Sequence, residues 1–180
     1  MPVFLPDLIL PALTDLTDEM LLQRGVKLLM LDFDNTIVPY TTDTPTDAIL
    51  DWIRTMQTSP IRVCVVSNTK KPRVRSFCQT YGLDYIMRAG KPFHRGIRQC
   101  LTRYSLAPQQ AALVGDQIFT DVLGANTAGL TAVLISAIDN HTVFLKARHA
   151  AELPFIALGR IRLRRLAEKR QKSDGSTQKN

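Results

Sequence analysis

Short apolar runs alternate with stretches of helical periodicity through most of this chain, and the runs stop abruptly at polar residues. They cover residues 26–31, 61–66, 84–88, 111–114 and 131–135, each of strand length. Between them, Ile49, Trp52, Ile53 and Met56 recur at the spacing of one helix face. Thr44 and Pro45 precede that stripe and read as an N-cap with proline at the first helical position. Pro72 opens a second helix with Val74, Phe77, Cys78 and Tyr81 as its buried stripe and Gly82 as its stop. Ile97, Cys100, Leu101 and Tyr104 predict a third, and residues 119–128, closed by Gly129, a fourth. This alternation predicts an α/β fold, a Rossmann-like core whose parallel five-stranded sheet has helices on both faces. In such sheets ligands bind beyond the carboxyl ends of the strands.

The residues just past those ends form a chemical set. Asp32, Asp34 and Thr36 follow the first strand, Ser67 and Asn68 the second, Lys91 the third, and Asp116 the fourth, with Asp121 about a helical turn further on. A parallel sheet gathers these points along one edge. Four carboxylates so close repel one another unless a cation joins them, and oxygen ligands without His or Cys favour a hard ion such as Mg²⁺. Asp32 is then placed to attack a phosphorus atom, and Asp34 to protonate the leaving oxygen and later activate water. Ser67 and Asn68 would donate hydrogen bonds to the phosphoryl oxygens, and Lys91 would offset their charge. The neighbouring Lys70, Lys71, Arg73 and Arg75 read as a solvated helix start in preference to a substrate contact.

Asp32-Phe33-Asp34-Asn35-Thr36 resembles the Asp-x-Asp-x-Thr motif of haloacid-dehalogenase-type (HAD) phosphatases. Ser67, Lys91 and Gly115-Asp116-x-x-x-x-Asp121 resemble the second, third and fourth motifs of that family, in order and at intervals of 35, 24 and 25 residues between Asp32, Ser67, Lys91 and Asp116. The wording Leu-Asp-Phe-Asp-Asn-Thr, Ser-Asn-Thr, Gly-Lys-Pro and Val-Gly-Asp-Gln-Ile-Phe-Thr-Asp is similar to the YqeG branch of subfamily IIIA. That branch is in turn similar to phosphatidylglycerophosphate phosphatases of mitochondrial and photosynthetic lineages. The resemblance covers about residues 26–135 and implies Asp32 as nucleophile, Asp34 as acid/base, and Ser67 and Lys91 on the phosphate. It also implies Mg²⁺ held by Asp32, the backbone carbonyl of Asp34, and Asp116, with Asp121 direct or through water. Family members insert substrate-covering caps after the first or second motif. Here a helix at 45–57 fills most of the first interval, and 69–88 has room for one helix and a short strand, so no substantial cap is expected. An open site suits a phosphate carried on something bulky or at a surface.

Charge distribution adds to this. Residues 1–145 hold 13 basic and 13 acidic side chains, while residues 146–180 hold 10 and 3, so the net +7 resides in the C-terminal segment. There, leucines and isoleucines interleave with arginines without a clean polar face, which leaves open a helix docked on the body, a peripheral membrane contact, or both. The expected organisation is a leucine-rich segment packing on the core (1–25), the phosphatase core (26–138), a basic helical segment (139–170) and a disordered tail (171–180). No apolar stretch approaches the ~20 residues of a membrane span, the first residues lack a basic leader, and Cys64, Cys78 and Cys100 have neither a disulfide framework nor metal spacing. These features predict a cytoplasmic protein, peripheral on a membrane at most.

The leading expectation is a Mg²⁺-dependent phosphomonoester hydrolase working through an aspartyl phosphate on phosphatidylglycerophosphate or another phosphate at a membrane surface. The alternatives are a phosphatase for a protein, nucleic-acid or small-metabolite phosphate, and a receiver-like phosphoacceptor or binding module. Asp34 argues against a receiver, and nucleic acid is not the expected partner.

Overall fold

A computed structural model of the chain describes residues 3–139 and 143–177, with side chains in the second group at 150–169 and 171. The strands are β1 (Leu8–Leu10), β2 (Leu28–Leu31), β3 (Arg62–Val66), β4 (Asp84–Ile86), β5 (Ala111–Gly115) and β6 (Thr131–Ile135). They form one sheet in the order β1-β6-β5-β2-β3-β4, parallel throughout. The helices are α1 (Asp18–Leu22), α2 (Asp47–Thr58), α3 (Arg73–Thr80), α4 (Arg95–Tyr104), α5 (Leu123–Ala128) and α6 (Val143–Thr177). Thus the architecture is the expected α/β one, with six strands among the described residues, not five. The sixth is β1, which lies along the outer edge of β6.

The central strands are apolar on both faces because both are covered. Leu29 and Leu31 of β2 pack with the α1, α2 and α3 side chains Leu21, Trp52 and Phe77. Leu28 and Met30 point the other way, towards Ile97 of α4, Ala125 of α5 and Phe155 of α6. Leu13, Leu16 and Leu21 of the leucine-rich segment are buried in the first of these layers. Helix α2 begins two residues later than expected. Thr46, not Thr44, accepts from the Ile49 amide and Asp47 occupies the first turn, so Pro45 lies before the cap.

On the second face, Phe155 of α6 meets Phe4 and Phe119, with ring centroids 5.1 and 5.9 Å away. Gly159 lies close against β1, where an added Cβ would stand 3.2 Å from Ile9 and 3.3 Å from Pro6. Helix α6 takes in residues 171–177, which the sequence reads as a disordered end, and residues 178–180 lie outside the described residues. Among the described residues no helix is long and apolar enough to cross a membrane.

Candidate active site

Strand register builds the site. Leu31 of β2 lies between Val65 of β3 and Val114 of β5, so Asp32, Ser67 and Asp116 emerge side by side. The Asp32 amide still donates to the Val114 carbonyl (2.9 Å), which fixes the first residue past the strand. Lys91 arrives through a loop beyond β4 that uses positive φ at Arg88 and Gly90 and a cis peptide before Pro92. Asn68 holds that loop with both atoms of its amide. Nδ2 donates to the Lys91 carbonyl (2.8 Å), and Oδ1 accepts from the Lys91 amide (2.7 Å). The expected phosphate donor is therefore engaged in orienting the lysine. Ser67 is buried, its Oγ accepting from the Thr69 amide at 3.2 Å.

Asp121 comes from a wide helical turn, Ile118–Val122, in which the Val122 and Leu123 amides reach back five residues to the Gln117 and Ile118 carbonyls. Such i→i+5 turns are frequent at functional sites. Glu152 of α6 accepts from the Ile118 amide at 3.0 Å, and the Gln117 amide donates to Asp121 Oδ2 at 3.2 Å. Gly115 makes room for this carboxylate, because a Cβ at 115 would fall on the Asp121 side chain.

At the centre, Lys91 Nζ lies 2.6 Å from Asp32 Oδ1 and 2.7 Å from Asp121 Oδ1, all three residues being buried. Oxygens of Asp32, Asp116 and Asp121 come within 4.8 Å of one another. Burial lifts the Asp32 carboxyl from 3.8 to about 6, with Asp121 adding to the rise and Lys91 opposing it. Burial works against the Lys91 charge, yet Asp121 and Asp32 together hold its pKa above the ordinary value. Two buried carboxylates thus share one ammonium, with the buried Asp116 beside them. An all-oxygen donor set of this size and sign fits a hard divalent ion such as Mg²⁺.

The Asp34 carboxylate lies outside this trio. Its Oδ1 accepts from Arg73 Nη2 at 2.7 Å, and the two side chains are only 16% and 10% exposed. Arg73 is thus not part of a solvated helix start, whereas Lys70, Lys71 and Arg75 are exposed. Sequence reasoning missed this partner. Its one signal was a position four residues before Phe77, at the edge of the α3 apolar stripe. Asn35 has φ +63° and joins its Nδ2 to the Asp139 carbonyl (2.6 Å), which makes it a shaping residue of the turn. The hydroxyl of Thr36 is buried without a hydrogen-bond partner among the described residues.

Comparisons with known proteins bear on the family and the fold. A HAD-hydrolase-like family model matches residues 88–142. The chain is 31% identical over 142 residues to the probable phosphatase YqeG of Bacillus subtilis (strain 168), covering 79% of this chain and 83% of that protein. In fold it is similar to a HAD-superfamily hydrolase from Ehrlichia chaffeensis, with a TM-score of 0.54 at 14% identity over 73% of this chain and 98% of that one. It is also similar to the cobalt-bound deoxy-D-mannose-octulosonate 8-phosphate phosphatase of Haemophilus influenzae, with a TM-score of 0.51 at 14% identity, over 69% of this chain and 75% of that one. Sharing its fold with HAD hydrolases and most of its length with the Bacillus protein, the chain belongs to the YqeG family of HAD-type phosphatases.

Proposed function

We propose that this phosphatase hydrolyses phosphomonoesters in two steps through an aspartyl phosphate on Asp32, with Mg²⁺ as cofactor. One observation carries the reading, namely the buried cluster in which Lys91 bridges Asp32 and Asp121 beside Asp116. An Asp32 oxygen attacks phosphorus, and the ester P–O bond breaks as the leaving oxygen takes a proton from Asp34. Water then attacks the acyl phosphate as Asp34 recovers a proton, and inorganic phosphate leaves with Asp32 regenerated. Lys91 holds the nucleophile and faces the phosphoryl oxygens, while Ser67 retains a hydroxyl proton to donate to them. Asn68 acts one step back, by fixing the Lys91 backbone. Asp32, Asp116, Asp121 and the carbonyl of Asp34 would hold the cation, which when bound supplies charge neutralisation for the carboxylates and the transferring group.

The proposed substrate is a phosphate at a membrane surface, phosphatidylglycerophosphate being the leading candidate, and the protein would meet it as a cytoplasmic, peripheral enzyme. Three features of the surface support this reading. Phe93, two residues past Lys91, is 78% exposed. Helix α6 keeps Leu153, Leu158 and Ile161 at solvent among the exposed Arg160, Arg164 and Arg165, while its other face is docked. A cavity of about 140 Å³, lined by Asp116, Ile9, Leu134, Leu153, Ile156 and Arg160, lies between this helix and the carboxylate cluster. The test is Mg²⁺-dependent turnover of phosphatidylglycerophosphate in anionic vesicles, measured beside soluble sugar phosphates, nucleotides and phosphopeptides. Preference for the vesicle substrate is expected. Activity confined to soluble esters would remove the lipid assignment and leave the hydrolase.

A further inference from the structure

We infer that Arg73 is a positioning residue for Asp34, an inference that rests on the acid/base reading of that carboxylate. Its Nη2 donates to Asp34 Oδ1 at 2.7 Å and to the Pro39 carbonyl at 3.1 Å. Its Nη1 donates to the carbonyls of Tyr40 (3.3 Å) and Thr42 (3.1 Å) and to Asp43 Oδ1 (3.0 Å). The guanidinium carbon stands 5.2 Å from the centroid of Phe33, the residue between the two motif aspartates. One planar cation thus ties the second aspartate to the chain that leaves the first motif.

This arrangement separates Arg73 from an ordinary phosphate-binding arginine. Both terminal nitrogens are already engaged with the protein, and Nε, which has no partner among the described residues, is buried away from solvent. A lysine is a point charge on a flexible stem and does not reproduce a fork that holds a carboxylate and several carbonyls at once. The consequence for the reaction is geometric. With Oδ1 fixed, rotation of the Asp34 carboxylate is restricted and its other oxygen keeps one position for proton transfer. General acid catalysis depends on that placement, because a proton must arrive as the ester bond breaks.

The experiment compares kcat/KM for phenyl phosphate, whose leaving oxygen needs a proton, with that for 2,4-dinitrophenyl phosphate, whose leaving group departs as the anion. This parameter reports only the steps through loss of the alcohol. The wild type, Arg73→Gln, Asp34→Asn and the double variant are measured with Mg²⁺ present. Arg73→Gln is expected to lose roughly 10²-fold on phenyl phosphate and under about threefold on the dinitrophenyl ester, and to cause no further loss when added to Asp34→Asn. The ratio between substrates does not depend on the folded fraction, since both are read from one sample. Arg73→Lys, which keeps the charge, supplies the same readout should Gln at 73 prevent folding. Equal loss on both substrates, or full additivity with Asp34→Asn, would overturn the inference. Should Asp34→Asn itself show equal loss on both, the acid assignment falls and this inference with it. A split for Asp34→Asn without one for Arg73 overturns the inference alone.

Discussion

Asp32 and Asp34 stand two residues apart, yet each meets a different kind of cation in a different setting. The inner carboxylate shares a compact ammonium with Asp121, deep under the sheet edge. The outer one is held by a planar guanidinium that also bonds the chain at residues 39–43. The inner group gathers Asp32, Asp116 and Asp121 around Lys91, and the proposed function assigns to it a metal ion and a dianionic phosphate. The outer pair is closed on itself, with its cation consumed by local bonds. The chain past β2 thus sets its two motif carboxylates in unlike surroundings, one sharing a buried ammonium and the other paired with a guanidinium, and each change proposed below acts on one side of that division.

The largest effect is expected from Lys91→Met. Removing the ammonium leaves Asp32 and Asp121 opposed without their shared cation, which costs about 3–5 kcal/mol when a buried pair is broken one-sidedly. Urea unfolding in EDTA should show that loss, and Mg²⁺ should restore part of it. Catalysis should fall roughly 10³-fold as phosphoryl charge stabilisation is lost. If Mg²⁺ restores nothing, the cation and the lysine do not share one set of carboxylates.

Gly115→Ala perturbs the inner cluster from below, because the new methyl displaces the Asp121 carboxylate. Titration calorimetry should find Mg²⁺ bound roughly 10-fold more weakly, a typical cost for disturbing a ligand's support. The ratio of kcat/KM between phenyl and dinitrophenyl esters should stay at its wild-type value, since the Asp34/Arg73 pair is untouched. A change in that ratio would mean that the two sides are coupled.

Much of the inner side was legible in the sequence, and little of the outer. Asp32, Ser67, Lys91 and Asp116 each follow an apolar run, and a parallel sheet must gather such ends. Arg73 carries no such mark. Its role depends on a turn that brings residues 39–43 against the start of α3, a contact made between segments far apart in the chain. β1 was missed because three residues between prolines give too short an alternation to register as a strand. Thr44 and Thr46 have the same capping chemistry, and only the packed position of Pro45 selects the second. Asn68 could be recognised as polar and near the phosphate end, but its bonds to Lys91 appear only once the loop beyond β4 is closed.

Proton competition supplies a smaller effect with a defined sign. Burial raises the Asp32 carboxyl to about 6, so below that pH a proton occupies a group that the cation needs in ionised form. Apparent Mg²⁺ affinity should therefore fall as pH drops through 6, by about tenfold per unit at the steepest, and level off above it. Calorimetric titrations between pH 5 and 8 (roughly the range spanned by this linkage) would show the slope, and a flat profile would remove Asp32 from the ligand set. The smallest effect is that of Thr46→Ala, which deletes the α2 cap for about 1 kcal/mol. Thermal unfolding should register it while cation affinity stays unchanged.

The most direct test is phosphate release from a simple phosphomonoester by wild type and Asp32→Asn, each with Mg²⁺ and with EDTA. The proposed function, in which Asp32, Asp116 and Asp121 hold the ion beside Lys91, predicts release by the wild type with Mg²⁺ only, and a loss of at least roughly 10³-fold in the variant. Undiminished release by Asp32→Asn, or by the wild type in EDTA, would contradict it.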